Sequence, residues 1–384
     1  MIFKRLALAT ALMLPAVAVL AATHEAKGKT IGRLETVAEF HGAMPTGVTV
    51  APNGRIFVNY PRWGDNVPFT VAEIVNGQAV AYPSEEINRP DPEHPANSLI
   101  SVQSVVADAA NRLWILDTAA PRFQPRIEGG AKLVAVDLAT NRVVKTIVLP
   151  PDVALPTTYL NDVRFDLRQG EAGVAYITDS SVSGPGALIV VDLASGKAMR
   201  RLSGDVSTSA ENGFVAVIDG WQMLSRPAGG KPTPLKVAAD GIALSADGTT
   251  LYYCPLSSRR LYAIPTAALR NGAMGDAELA KLVKDLGVKG ASDGLEADSQ
   301  GNVYAGDYEH HAIRRYDGQT WKTIARAPEI QWPDTLSIST DGYLYFTANQ
   351  LDRQPGFHGG KDLRQKPYKL FRIKIDAQPV LLKK

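Results

Sequence analysis

Three carboxylates, two amides and a hydroxyl occupy one recurring position in this chain: Asp240, Asp293, Asp334, Gln103, Asn161 and Thr46. Each begins an apolar strand that runs to a tight turn and then to an apolar-aromatic pair opening a second strand. The six copies are Thr46-Gly47 to Gly54 and Phe57, Gln103-Ser104 to Asn111 and Trp114, Asn161-Asp162 to Gly173 and Tyr176, Asp240-Gly241 to Gly248 and Tyr252, Asp293-Gly294 to Gly301 and Tyr304, and Asp334-Thr335 to Gly342 and Tyr345. The step from the second residue to the turn is seven residues in five copies; the third departs through the insertion Arg168-Gln169-Gly170-Glu171. Equivalence within a repeat places the six polar side chains around one axis. Like charges held together in a partly desolvated channel cannot all stay ionised unless a cation joins them. Two cations suit: Ca²⁺, which takes carboxylate and amide oxygens and for which Asn161, Asp240 and Asp293 are the candidate ligands, or the ammonium group of a small molecule. The plainer reading is that these aspartates cap backbone N–H groups of neighbouring turns. A second tier, at the ends of the second strands, holds Asp117, Asp179 and Asp307, with Asn59 and Asn349 close to the same position.

Sheets must hold those residues. Two strands joined by an Asn-Gly or Asp-Gly type turn form a hairpin, and each hairpin is followed by a third strand such as Lys132 to Asp137 or Ala187 to Asp192. The expected fold is all-β, a six-bladed β-propeller. The strand Arg33 to Phe40 reads as an outer strand whose blade is missing at the N-terminus, and Lys369 to Ile375 as a third strand lacking a fourth. Their pairing would close the ring and hide two sheet edges. Thr266 to Leu286, with apolar residues at Leu269, Leu279, Leu282 and Val283, reads as the one long non-strand insertion, helical and packed on the outside. The turn face carries short hairpins, so the opposite face, with its longer loops, is the functional candidate.

The composition agrees: 384 residues, 45% hydrophobic and 21% charged, build a packed core. Met1 to Ala22 carries Lys4 and Arg5, an uncharged run from Leu6 to Leu20 and small residues up to Ala22, the pattern of a signal peptide (1–22) ahead of a single domain (23–384). A secreted or periplasmic protein without a membrane span is the expectation. The formal charge of +2 is spread without a basic tract, so no nucleic-acid partner is expected. A small-molecule ligand and a monomer are. Cys254 stands alone, at the end of an apolar strand, and reads as a buried inert thiol.

The loops facing the polar ring bring Tyr60, Arg62 and Trp63, Arg122 and Phe123, Tyr308 to His311, and Phe357 with His358. An aromatic wall around an acidic mouth suits a cation or a flat ring. The histidines lack metal-site spacing, and Gly229-Gly230 and Gly359-Gly360 lack the context of phosphate loops.

The runs Gln103-Ser104-Val105 with Leu113 to Asp117, Tyr159-Leu160-Asn161-Asp162, Ser292 to Leu295, and Pro333-Asp334-Thr335-Leu336 leading to Tyr343 through Leu351 resemble the royal jelly protein/yellow family over about Ile31 to Ile375. That resemblance implies a secreted six-bladed propeller. Family members include a dopachrome-isomerising enzyme, non-enzymatic binders of biogenic amines, and nutritional proteins, so the family alone does not choose a function. The chain is more distantly similar to gluconolactonase-like propellers, which hold a catalytic Ca²⁺ with a Glu, two Asn and an Asp. Here Asn161 and Asp293 or Asp240 match, whereas Thr46 stands where the Glu is expected. The leading expectation is a binder of a small cationic or aromatic molecule through Thr46, Gln103, Asn161, Asp240, Asp293, Asp334 and Asn349. The alternatives are Ca²⁺-dependent lactone hydrolysis or tautomerisation in the same channel, and a protein-interaction scaffold.

Overall fold

The turn residue of every repeat copy has a positive φ, from 59° at Asn111 to 106° at Gly173, a conformation that glycine and asparagine tolerate and that closes a tight hairpin. In the computed structural model, which describes residues 33–384, these hairpins grow into six antiparallel four-stranded sheets. Blade 1 comprises Val48–Val50, Ile56–Asn59, Val71–Val75 and Gln78–Ala81; blade 2, Val102–Ala107, Arg112–Asp117, Lys132–Asp137 and Arg142–Val148. Blade 3 comprises Leu160–Asp166, Val174–Asp179, Ala187–Asp192 and Ala198–Arg201; blade 4, Ala239–Leu244, Thr250–Pro255, Arg260–Pro265 and Lys284–Val288. Blade 5 comprises Ser292–Ala297, Val303–Asp307, Ala312–Tyr316 and Trp321–Arg326; blade 6, Pro333–Ile338, Tyr343–Ala348, Tyr368–Lys374 and, from the other end of the chain, Glu35–Phe40. The inner strands touch their neighbours all the way round, the sixth against the first included. This is the six-bladed propeller expected from the repeat.

Closure also follows the expectation. Glu35–Phe40 pairs antiparallel with Tyr368–Lys374, Glu35 opposite Arg372 and Phe40 opposite Tyr368. Arg372 bonds Glu35 at 2.8 Å and lies over the Tyr343 ring. Ala38 and Phe40 are buried in the core that joins blades 6 and 1.

The repeated aromatics drive the rest. Phe57, Trp114, Tyr176, Tyr304 and Tyr345 are buried, whereas in blade 4 it is Tyr253 and not Tyr252 that is fully enclosed. Each burial of a large apolar side chain contributes roughly 1.5–3 kcal/mol. Cys254 is buried, 3.6 Å from the Ser292 hydroxyl.

Two expectations need correction. The stretch from Thr266 to Leu286 is not wholly helical: two short helices, Thr266–Arg270 and Asp276–Ala280, bury Leu269 and Leu279 against the core between blades 3 and 4, and Lys284–Val288 is blade 4's outer strand. Nor is it the one long excursion. Residues 202–238 form another, with two small hairpins, Val217–Ile218 with Trp221–Gln222 and Leu224–Ser225 with Thr233–Pro234. Among the described residues no helix is long and apolar enough to cross a membrane; Met1 to Ala22 lies outside them.

Candidate ligand site at the channel mouth

The site residues sit where the inner strands break step. Ladder pairing shifts between Val102 and Ser104, Leu160 and Val163, Ala239 and Ile242, Ser292 and Leu295, and Pro333 and Leu336. A bulge adds one residue and interrupts the in-out alternation. Asp240, Asp293 and Asp334 are the residues at these breaks. The glycines that follow two of them serve the fold: a Cβ on Gly241 would lie 2.3 Å from the Asp293 carbonyl oxygen, and one on Gly294 2.6 Å from that of Asp334. They let adjacent inner strands converge on the axis.

Asn161, Asp240 and Asp293 are joined in a chain of hydrogen bonds, and Asp334 lies close enough to feel the charge of Asp293. Asn161 Nδ2 donates to Asp240 Oδ1 at 2.5 Å, the Asp240 and Asp293 carboxyls bond one another, and the Trp332 indole N–H donates to Asp293 Oδ2 at 2.8 Å. Asp334 Oδ2 accepts from Asn349 Nδ2 at 2.7 Å, and Thr335 donates to its other oxygen at 3.1 Å. All three carboxyls are at most 7% exposed. Burial holds Asp240 well above the ordinary carboxylate range, with the charge of Asp293 adding to it. Burial likewise raises Asp334, again followed by the charge of Asp293. Asp293 is pushed by burial from its ordinary 3.8 up to about 6, against the pull of its bonds to Asp240 and Trp332. Burial and mutual repulsion thus favour the sharing of protons within the cluster. Among the described residues none of the three carboxyls has a Lys, Arg or His within ion-pair distance.

The other predicted residues sit around this cluster in different ways. Gln103 Oε1 accepts from the Tyr159 hydroxyl at 3.0 Å. Thr46 is fully buried and latches blades: its hydroxyl accepts from Asn59 Nδ2 at 2.9 Å, and the same amide reaches the Val102 and Gln103 carbonyls. Asn349 ties Asp334 to the Pro45 carbonyl. Two of the second-tier aspartates, Asp117 and Asp179, are caps. Asp117 accepts from the backbone of Ile100, Ser101 and Ala119 and from Lys132 Nζ at 2.7 Å; Asp179 accepts from the Tyr159 and Ser181 backbone and from Arg200 at 2.6 Å. Asp307 bonds His310, with Arg314 at 3.8 Å.

Two aromatic stacks flank the mouth. Trp63, Phe123 and Tyr159 stack in series at centroid distances of 5.1 and 4.9 Å, with the Trp63 indole donating to the Tyr159 hydroxyl. Tyr308 lies flat on Trp332 at 4.1 Å and 8°. Tyr60 and Arg62, by contrast, are structural: Tyr60 packs against Phe40 and Phe69, and Arg62 donates to the carbonyls of Ile100, Val67 and Asn88.

Three features are absent from the sequence reading. Phe214, Ala216, Ile218 and Met223, from the excursion 202–238, share a buried apolar cluster with Met44, Tyr308, Trp332 and Leu351 and roof this side of the mouth. Deeper in the channel Arg164 bonds Asp162 at 3.1 Å and lies 3.6 Å from Glu296, while Ser104 donates to Asp162 at 2.8 Å. At the foot, Val380, Leu381 and Leu382 enclose a cavity of about 80 Å³ with Arg164, Glu296 and Ser337; Leu382 O accepts from Leu167 N and Gln378 O from Ser299 N. Asp162 carried a signal, since every other copy of the repeat has a small or hydroxylated residue there.

The expected calcium set fits poorly. Asn161 presents its N–H₂ group to Asp240, and the two carboxyls bond each other, so the arrangement shares protons and does not converge its oxygens on a cation. Among the described residues no three His, Cys, Asp or Glu side chains are grouped to hold a metal ion.

Comparison with known proteins agrees with this architecture. The family described as major royal jelly protein matches residues 100–376. Protein yellow of Drosophila pseudoobscura pseudoobscura is 28% identical over 247 residues, 60% of this chain and 41% of that protein; protein yellow of Drosophila melanogaster is 27% identical over the same length, 42% of that protein. The matched stretch thus spans about two fifths of these relatives. Among solved structures, regucalcin of Agrobacterium tumefaciens, a calcium-binding protein, superposes with a TM-score of 0.53 at 17% identity, covering 92% of this chain and 98% of that one. A gluconolactonase of Xanthomonas campestris gives 0.52 at 12% identity and 89% of each chain.

Proposed function

The chain belongs to the major royal jelly protein family, and from that premise we propose that its channel mouth binds a small aromatic amine. The observation that carries this reading is the cluster of three buried carboxyls, Asp240, Asp293 and Asp334, without a cationic side chain in ion-pair reach among the described residues. Buried charge without a partner is costly. An entering ammonium supplies the missing cation and displaces the shared protons. Asn161 and Gln103 orient the polar end, Thr46 and Asn349 hold the rim, and the stacks at Trp63–Phe123–Tyr159 and Tyr308–Trp332 offer flat walls for a ring. Export to the periplasm or medium, by a leader over Met1 to Ala22, belongs to the same reading.

A second reading, calcium-dependent hydrolysis or tautomerisation, draws support from the fold shared with regucalcin and gluconolactonase. Thermal shift separates the two. Dopamine or serotonin at a hundred times its dissociation constant should stabilise the mature protein by roughly 2.7 kcal/mol, with calcium and chelator without effect. Stabilisation by calcium that a chelator reverses, and none by amines, would establish the second reading instead.

A further inference from the structure

A second recess opens on the same face, outside the carboxyl cluster. It encloses about 700 Å³ between the small hairpins of 217–226 and the excursion of blade 6 that carries Phe357 and His358, within the size range of small-molecule sites. Its two walls are fixed to each other: Arg226 N donates to Gly356 O at 2.7 Å and Gly359 N to Arg226 O at 2.9 Å. Trp221 stands 76% exposed at its edge, unusual for a residue that normally buries most of its surface, and Ile218, Met223 and Phe357 add apolar lining.

The charges in this recess are mostly spent. Asp219 pairs with His311 Nε2 at 2.7 Å and lies 3.8 Å from Arg353. Asp352 accepts from Gln331 at 3.0 Å, and burial favours its neutral form. His358 Nε2 bonds the Asp352 carbonyl oxygen. Arg226 differs: its guanidinium makes a 3.5 Å bond to the Gln222 carbonyl and meets no carboxylate within 4 Å among the described residues. A preformed pocket with an exposed indole at its lip and one uncompensated guanidinium selects a flat ring bearing an anion.

We propose that this recess is a binding site for an aromatic carboxylate, its ring against Trp221 and Phe357 and its carboxylate on Arg226. The charge preference is opposite to that of the channel mouth.

The test uses 2-naphthoate as the probe on the full mature chain, with 2-naphthamide as its uncharged counterpart, followed by calorimetry. The expected result is saturable one-to-one binding of 2-naphthoate, at least tenfold weaker binding of 2-naphthamide, and at least tenfold loss in both Arg226→Gln and Trp221→Ala. Trp221 is exposed and Arg226 half-buried, and an unchanged melting temperature confirms that each variant is folded. Asp293→Asn should bind the probe like the wild type. Absence of binding, equal affinity in Arg226→Gln, or loss of binding in Asp293→Asn would each overturn the proposal, the last by placing the probe in the channel.

Discussion

The indole N–H of Trp332 donates to Asp293 Oδ2 at 2.8 Å while the same ring lies flat on Tyr308, so one side chain joins the aromatic wall to the acidic cluster. Trp332→Phe keeps most of the stack and removes the donor. A hydrogen bond to a charged group contributes about 1.5–3 kcal/mol. Asp293 should therefore be harder to ionise, and amine affinity at pH 7 should fall by about tenfold or more; calorimetric titration with dopamine measures it, and unchanged affinity would remove Asp293 from the binding account.

The carboxyls set the sign of the pH dependence. Asp240, Asp293 and Asp334 all have folded values raised above their ordinary ones, so at these three sites the folded protein binds more protons than the unfolded chain does. Their contribution to stability is present below about pH 4 and lost as pH rises through the folded values, for Asp293 between 3.8 and about 6. The melting temperature of the ligand-free protein should carry a component that falls over this window. Asp293→Asn should flatten that component, and a slope unaltered by the substitution would contradict the assignment.

Substitutions should separate the acidic cluster from the capping aspartates. Asp240→Asn or Asp293→Asn should abolish amine binding and leave the melting temperature within about 3 °C or above the wild type, since one of several repelling charges is removed. Lys132→Met strands Asp117, which is fully buried at 2.7 Å from Lys132 Nζ. It should cost about 3 kcal/mol in urea unfolding without altering binding by the folded fraction.

Ring closure predicts a different loss. Deleting residues 23–40 removes the outer strand of blade 6, exposes the edge of Tyr368–Lys374 and empties the site of Phe40. The melting temperature should drop by more than about 5 °C, and size-exclusion chromatography should show self-association through the open edge. A monomer of unchanged stability would mean that this pairing contributes little.

Much of this was legible in the sequence because propeller blades repeat. A positive-φ turn residue, a buried aromatic and a polar inner-strand start recur with near-constant spacing, which was enough for the blade count, the closure by Arg33 to Phe40 and the placing of Asn161 and Asp293 beside Asp240. What was not legible depends on neighbours across the ring. Gly241 and Gly294 each face the carbonyl of the next blade, a contact that no single strand records. Thr46 read as part of the lining and proves to be a latch to Asn59. The excursion 202–238 has no period, so its packing of Phe214 and Met223 beside Trp332 had no local signature. Asp162 and Arg164, deeper in the channel, were overshadowed by the first position of the repeat.

Exchange of protons for an ammonium group at the carboxyl cluster is tested by one calorimetric series: dopamine titrated into wild type and Asp293→Asn at pH 5 and pH 8. The wild type should bind one-to-one and at least tenfold more tightly at pH 8, where Asp293 is ionised, and Asp293→Asn should show no measurable binding at either pH. Equal affinity at the two pH values, or undiminished binding by Asp293→Asn, would contradict it.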